Sequence, residues 1–95
     1  MSGAGDDGAG DRPVRVLLVE DHAAFRQALA LAFGLEPDLR VVAQAEDLAR
    51  ARAAIAAHRD IAVAVLDLDL PDGHGADLIR DLRAANPGAQ ALVLT

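Results

Sequence analysis

Hydrophobic residues are concentrated along this chain in short runs that are mostly apolar and show no regular alternation with polar residues. Four runs stand out, at positions 14–19, 39–43, 61–66 and 91–95. Short apolar runs of this kind are typical of strands that are buried on both faces of a sheet. The pattern therefore predicts four strands, of which the third is the most strongly indicated.

The segments between these runs are amphipathic and predict three helices. In the first, apolar residues follow helical spacing from position 23 to 33, and Gly34 and Pro37 are expected to end the helix. Asp47 is expected to cap the second helix. The third should end at 86–88, where the sequence is Asn-Pro-Gly. The side chains expected to face the core are Phe25, Ala28, Leu29, Ala32 and Phe33 in the first helix, Leu48, Ala51 and Ile55 in the second, and Leu78, Ile79, Leu82 and Ala85 in the third.

Strands that alternate with helices in this way predict an α/β fold, a doubly wound parallel sheet with right-handed crossovers and helices on both faces. In such sheets, ligands bind beyond the carboxyl ends of the strands, at the point where the strand order reverses. If the order is 2-1-3-4, as in flavodoxin-like folds, the first and third strands are neighbours at that point.

Composition narrows the class of protein. The 95 residues suffice for one small domain, predicted at 13–95 after a flexible, acidic, Gly-rich tail at 1–12. A formal charge of −6 argues against nucleic acid or an anionic membrane as a direct partner. The absence of cysteine excludes disulfides and a cysteine nucleophile. No apolar run is long enough to span a membrane and no signal-peptide pattern is visible, so a cytoplasmic location is expected.

Acidic residues follow two of the predicted strands directly. Glu20 and Asp21 come after the first strand, and Asp67 comes after the third. One strand-end acid usually does no more than solvate the sheet edge or cap the next helix. Three that converge would repel one another unless a cation lay between them, and oxygen ligands of this kind suit Mg²⁺ or Mn²⁺. Asp67, on the most buried strand, is the candidate nucleophile towards a phosphoryl group.

Three segments at strand ends resemble the receiver domain of bacterial two-component response regulators. They are Val-Leu-Leu-Val-Glu-Asp-His at 16–22, Val-Leu-Asp-Leu-Asp-Leu-Pro-Asp-Gly-His-Gly at 65–75, and Ala-Leu-Val-Leu-Thr at 91–95. The first two are most similar to receivers that precede a LuxR-type DNA-binding domain. The resemblance covers residues 13–95, and three motifs in the right order are specific where each alone is weak.

The resemblance implies a role for each matching residue. Asp67 is expected to be the phospho-acceptor, which takes its phosphate from the phosphohistidine of a sensor histidine kinase. Asp21 is expected to bind Mg²⁺ (or Mn²⁺) directly and Glu20 largely through water, while Asp69 offers its backbone carbonyl. Thr95 matches the switch hydroxyl that binds the phosphoryl oxygen.

The resemblance also assigns the residues around the acceptor loop. Pro71 and Gly73 are expected to shape this loop, and Gly75 to let the third helix begin. His22 follows the acid pair, but it is expected to be a neutral residue at the start of a helix and no metal ligand.

The chain departs from the family pattern after its fourth strand. A full receiver adds a helix, a fifth strand that ends in a lysine, and a last helix, whereas these 95 residues contain no lysine. We therefore expect a truncated receiver that is phosphorylated poorly. Its apolar fourth strand would form an open edge, which predicts self-association.

Two other functions remain open from the residues alone. Asp67 and Asp69 match the Asp-x-Asp signature of haloacid-dehalogenase phosphatases, although that motif follows the first strand there and needs a lysine and further acids downstream. The third candidate is an interaction module that signals without phosphate. The receiver interpretation, with no enzymatic turnover, explains Glu20 and Asp21 as well.

Overall fold

The computed structural model describes residues 12–94. The tail predicted at 1–12 lies outside this range except for Arg12, and so does the predicted switch residue Thr95. The strands are β1 (Val14–Val19), β2 (Leu39–Ala45), β3 (Val63–Leu66), β4 (Asp69–Leu70), β5 (Gly73–His74) and β6 (Gln90–Val93), and the helices are α1 (Ala23–Gly34), α2 (Leu48–Ala57) and α3 (Ala76–Ala85).

The main sheet is parallel and has the order β2-β1-β3-β6. Since β6 is the fourth of the predicted strands, this order confirms the predicted 2-1-3-4 arrangement. Val19 is paired with Leu66 in the register of β1 and β3. The residues that follow these two strands therefore leave the sheet side by side.

The two faces of the sheet hold separate hydrophobic clusters, because successive side chains of a strand point to opposite faces. Leu17 and Val19 of β1 pack with Leu66 of β3 and with buried residues of α2 and α3. Val16 and Leu18 belong to a smaller cluster on the other face, against α1. Of the predicted inner residues, Leu48, Ala51 and Ile55 are buried in α2, and Leu78 and Leu82 in α3.

The inner face predicted for α1 is wrong in part. No residue of α1 is fully buried, and Phe25 keeps 47% of its surface exposed. Leu29, Ala30 and Phe33 make the contact with the sheet, while Ala28 and Ala32 are exposed. Among the described helices, α1 is the only one that packs on this face of the sheet. The sheet therefore covers only a narrow stripe of α1. Ala85, predicted to face inward on α3, is likewise exposed at the end of its helix.

Several strand boundaries also differ from the prediction, since β2 extends to Ala45 and β6 begins at Gln90. The third strand was expected over 61–66, but Ile61 and Ala62 precede β3, and Ile61 is buried without belonging to the strand. The segment after β3 was expected to be an irregular loop, but it contains the short antiparallel pair β4–β5. None of the helices in residues 12–94 combines the length and the apolar character that crossing a membrane requires.

Strand β6 forms one edge of the main sheet and, within the described chain, pairs only with β3. It carries no charged residue, and Leu92 and Val93 expose 56% and 38% of their surface. Because exposed apolar edge strands pair with other chains, we expect the protein to self-associate through β6.

Sedimentation velocity at a series of concentrations measures this association. Leu92→Glu should weaken it, since a charge on an edge strand opposes pairing. Leu35→Glu, at an 82% exposed leucine that follows α1, is the matched control and should leave it unchanged. A wild-type protein that stays monomeric at every concentration would contradict the prediction.

Candidate functional site

The carboxyl ends of β1 and β3 hold the acidic residues in place through backbone hydrogen bonds. The Asp67 amide donates to the Val19 carbonyl over 3.0 Å, and the Glu20 amide donates to the Ala45 carbonyl, also over 3.0 Å. Both acids thus continue the ladder of the sheet. The predicted convergence of Glu20 and Asp67 on one sheet edge is therefore present in the backbone.

Glu20 is a buried carboxylate, with only 4% of the residue exposed. One oxygen, Oε2, accepts a hydrogen bond from the His22 amide at 3.0 Å and lies 3.2 Å from the His22 Nδ1 atom. Arg26 Nη1 donates to the Glu20 carbonyl oxygen over 2.7 Å, which ties the start of α1 to the end of β1. These contacts fix the direction in which the turn after β1 leaves the sheet.

Asp21 lies beside Glu20 and shares a partner with it. The Asp21 Oδ1 atom is 3.5 Å from the His22 Nδ1 atom. Among residues 12–94, one set of three metal-ligating side chains has its donor atoms within 4.8 Å of one another, and it consists of Glu20, Asp21 and His22. His22, predicted only to start the helix, does hold the N-cap position of α1 but also lies within this set. The sequence indicated this only through the position of His22 directly after the acid pair.

Asp67 is half-buried and lies outside that set. Its Oδ1 atom accepts a hydrogen bond from the Asp69 amide at 3.1 Å. The Asp69 residue itself is exposed. This contact holds the Asp67 carboxylate against the backbone of the segment that follows.

The segment from 67 to 75, called here the acceptor loop, is a closed hairpin. Asp69 and Leu70 of β4 pair with His74 and Gly73 of β5, and Leu70 is buried in the main core. At the base of the hairpin the Gly75 amide donates to the Leu68 carbonyl over 2.8 Å. Gly73 has φ +152°, a conformation that residues with a Cβ rarely adopt, which agrees with its predicted role in shaping the loop.

Gly75 was predicted to let the third helix begin, and it is the N-cap of α3. The structure adds a second reason for glycine here. A Cβ at Gly75 would run into the Asp67 carbonyl oxygen and would lie 2.7 Å from Leu66 Cδ1. The missing side chain therefore lets α3 pack directly beneath the acceptor position.

Asp72, at the tip of the acceptor loop, has a structural role that the sequence did not reveal. Its two carboxylate oxygens accept hydrogen bonds from the backbone amides of Leu48 and Ala49, at 2.8 and 3.0 Å. The pKa of Asp72 is lowered from its usual value, mainly by the hydrogen bond from the Leu48 amide. The predicted cap Asp47 accepts from the Arg50 amide at 2.8 Å, so α2 is capped by two aspartates.

The donor set at the end of β1 fits a hard divalent cation. Glu20 and Asp21 are adjacent carboxylates, and across the described residues their ion pairs involve only His22, which is charged only when protonated. Carboxylate oxygens are the ligands that Mg²⁺ takes in proteins, with waters completing its shell. A buried carboxylate such as Glu20, without an arginine or lysine partner, is electrostatically suited to a nearby cation.

In parallel α/β sheets, ligands bind beyond the carboxyl ends of the strands, and in this chain the acids follow β1 and β3 at those ends. The protein-family model of the response regulator receiver domain matches residues 16–95 of this sequence. This chain belongs to the response regulator receiver family, as its resemblance to that family predicted.

The relatives of this chain are regulators of several kinds. It is 45% identical over 82 residues to the DNA-binding transcriptional activator DevR/DosR of Mycobacterium tuberculosis, covering 86% of this chain and 37% of that protein. It is 41% identical over 86 residues to a protein-glutamate methylesterase/protein-glutamine glutaminase of Anaeromyxobacter dehalogenans, covering 90% of this chain and 25% of that one. Transcription factors and enzymes thus both occur among the proteins it resembles.

A solved structure shows the same fold. The signal receiver domain of the NarL response regulator from Mycobacterium tuberculosis superposes with a TM-score of 0.76 and 33% identity, over 86% of this chain and 65% of that chain. The chain therefore spans only part of the proteins it matches.

Proposed function

We propose that this chain is the phospho-acceptor module of a two-component signalling pathway and that Asp67 takes the phosphoryl group. The observation that carries the proposal is that Asp67 directly follows β3, while Glu20 and Asp21 follow the neighbouring strand β1. Membership of the receiver family supports the same role.

The acidic residues have separate tasks in this proposal. Asp21 would bind Mg²⁺ directly and Glu20 largely through water, while the Asp67 carboxylate and the backbone carbonyl of Asp69 would complete the protein ligands. Mg²⁺ bound there supplies positive charge to offset that of the incoming phosphate.

The proposed reaction is a phosphoryl transfer between two protein side chains. A carboxylate oxygen of Asp67 forms a bond to phosphorus while the bond from phosphorus to the donor imidazole nitrogen breaks, and the imidazole keeps the electron pair. The product is an acyl phosphate on Asp67. The donor is proposed to be the phosphohistidine of a sensor histidine kinase. The protein itself is proposed to act in the cytoplasm, as a stoichiometric acceptor without turnover.

Beryllofluoride, which mimics a phosphoryl group on a carboxylate, tests the acceptor assignment. With Mg²⁺ present, it should shift the amide NMR signals of the acceptor loop in the wild-type protein and not in Asp67→Asn. Asp69→Asn is the matched control and should still respond, because the proposed contribution of Asp69 comes from its backbone. Equal responses of the wild type and Asp67→Asn would contradict the proposal, and no response in either would favour the phosphate-independent interaction module.

Paramagnetic Mn²⁺ tests the metal site separately. It should broaden the amide signals of residues 20–22 and 67–70 selectively, and Glu20→Gln should weaken this effect. Glu36→Gln, at an exposed acid near the opposite end of the sheet, should not. Broadening spread evenly over the acidic residues would indicate diffuse attraction to a chain of net charge −6 and would contradict a defined site.

The phosphatase alternative rests on Asp67 and Asp69 alone. It predicts turnover of a phosphate ester, whereas the receiver predicts none. The third-strand position of this pair and the acids after β1 favour the receiver.

A further inference from the structure

The tip of the acceptor loop is attached to α2, a helix that has no part in the function proposed above. Asp72 occupies the turn between β4 and β5, and its carboxylate bridges to α2 across the surface. Both of its oxygens are engaged, one by the Leu48 amide and one by the Ala49 amide. A carboxylate that accepts two amides at a helix N-terminus is favourably placed, because those amides have no partner within the helix.

A second contact holds the same tip close to α2. The Cα of Gly73 lies so near Leu48 that a Cβ there would be 2.6 Å from the Leu48 Cδ1 atom. Leu48 is 2% exposed and belongs to the main core. The loop tip therefore rests on a fixed part of the structure and not on a mobile side chain.

The β4–β5 hairpin connects the attached tip to Asp67. The β4–β5 pairing links Gly73 to Leu70 and His74 to Asp69, and the Asp69 amide in turn donates to the Asp67 carboxylate. A continuous path of hydrogen bonds and short stretches of backbone thus runs from the N-terminus of α2 to Asp67. A displacement of the tip would shift the Asp69 amide and with it the carboxylate that it holds.

We propose that Asp72 is a positioning residue, which fixes the acceptor loop to α2 and thereby sets the orientation of the Asp67 carboxylate for phosphoryl transfer. This inference rests on the proposed role of Asp67 as phospho-acceptor. The helix α2 contributes no residue to the acidic site. Through Asp72 it nevertheless affects the reactivity of that site.

The two caps of α2 provide a matched comparison. Asp47 and Asp72 both accept amides of the first turn, but only Asp72 belongs to the acceptor loop. Asp47→Ala and Asp72→Ala should both lower the stability of the chain. Only Asp72→Ala should speed amide hydrogen exchange in residues 67–75, and only it should slow the gain of phosphate from acetyl phosphate and Mg²⁺.

The expected loss of rate in Asp72→Ala is about tenfold, since small misplacements of reacting groups have effects of up to roughly 10²-fold. The limiting rate at high acetyl phosphate should fall while the half-saturating concentration stays the same, because positioning affects the transfer step. Asp72→Asn keeps one acceptor oxygen and should recover part of the rate.

Two outcomes would overturn the inference. One is an equal loss of rate in Asp47→Ala and Asp72→Ala, which would reduce Asp72 to a helix cap. The other is unchanged hydrogen exchange of the acceptor loop in Asp72→Ala. Failure of the proposed function looks different, because the wild type and Asp67→Asn would then gain phosphate alike or not at all, whereas hydrogen exchange would still report whether Asp72 holds the loop.

Discussion

Replacing Gly75 by alanine is expected to lower the free energy of unfolding by about 1–3 kcal/mol, the usual cost of inserting a methyl group into a packed interior. The new Cβ would meet the Asp67 carbonyl oxygen, Leu66 Cδ1 at 2.7 Å and Leu68 Cα at 3.1 Å. Two of these three atoms belong to the backbone, so relief requires a shift of the chain at the acceptor position itself. The substitution should therefore reduce phosphate gain as well as stability.

Gly34→Ala is the matched control for this experiment. Gly34 is the last residue of α1, and a Cβ there would have no atom within 4 Å. Alanine favours the helix over glycine, so stability should stay the same or rise by up to ~1 kcal/mol. Chemical denaturation followed by circular dichroism measures both variants. A Gly75→Ala protein as stable as Gly34→Ala would show that the close packing beneath Asp67 can relax without cost.

The second large effect concerns the rate of phosphorylation. Transfer to Asp67 develops negative charge on the phosphoryl oxygens, which receivers offset with a metal ion, a hydroxyl and a lysine ammonium group. These 95 residues contain no lysine. Loss of one preorganised donor typically slows a reaction roughly 10²–10³-fold, or by about 3–4 kcal/mol. Reaction with acetyl phosphate should be slower by that factor than in a receiver that has the lysine.

Arg26 does not fill the gap in the described structure. It reaches the turn after β1, but its Nη1 atom is bonded to the Glu20 carbonyl oxygen. Arg15, Arg50 and Arg52 form ion pairs with acids that are not part of the site. Initial rates of phosphate gain, measured by intact mass spectrometry beside a lysine-containing receiver, test the prediction. Rates that agree within about tenfold would show that the lysine is dispensable for this acceptor.

The features that the sequence predicted well are those that local patterns determine. Mostly apolar runs without regular polar alternation identified the four strands of the main sheet, because strands of a sheet that is covered by helices on both faces carry few polar residues. Asp47 was recognised as a helix cap because capping depends on neighbours in the chain. The acids at 20, 21 and 67 were also recognised from their neighbours in the chain, since they come immediately after two of the apolar runs.

The features that were missed depend on contacts between distant segments. Asp72 accepts from Leu48, 24 positions away, and nothing near Asp72 in the sequence indicates this partner. The exposed side of α1 was mispredicted because helical spacing shows which residues share a face, but not how much of that face the sheet covers. The place of His22 beside both acids follows from the turn after β1, which spacing alone does not specify.

Chemical mapping shows directly whether the phosphoryl group forms an acyl phosphate on Asp67. After prolonged incubation with acetyl phosphate and Mg²⁺, borohydride reduction converts a phosphorylated aspartate to homoserine, which peptide mass spectrometry locates. Homoserine is expected at position 67 alone, and Asp67→Asn should remain unmodified. Homoserine at other acidic positions, or an unmodified Asp67 after phosphate has been gained elsewhere, would contradict it.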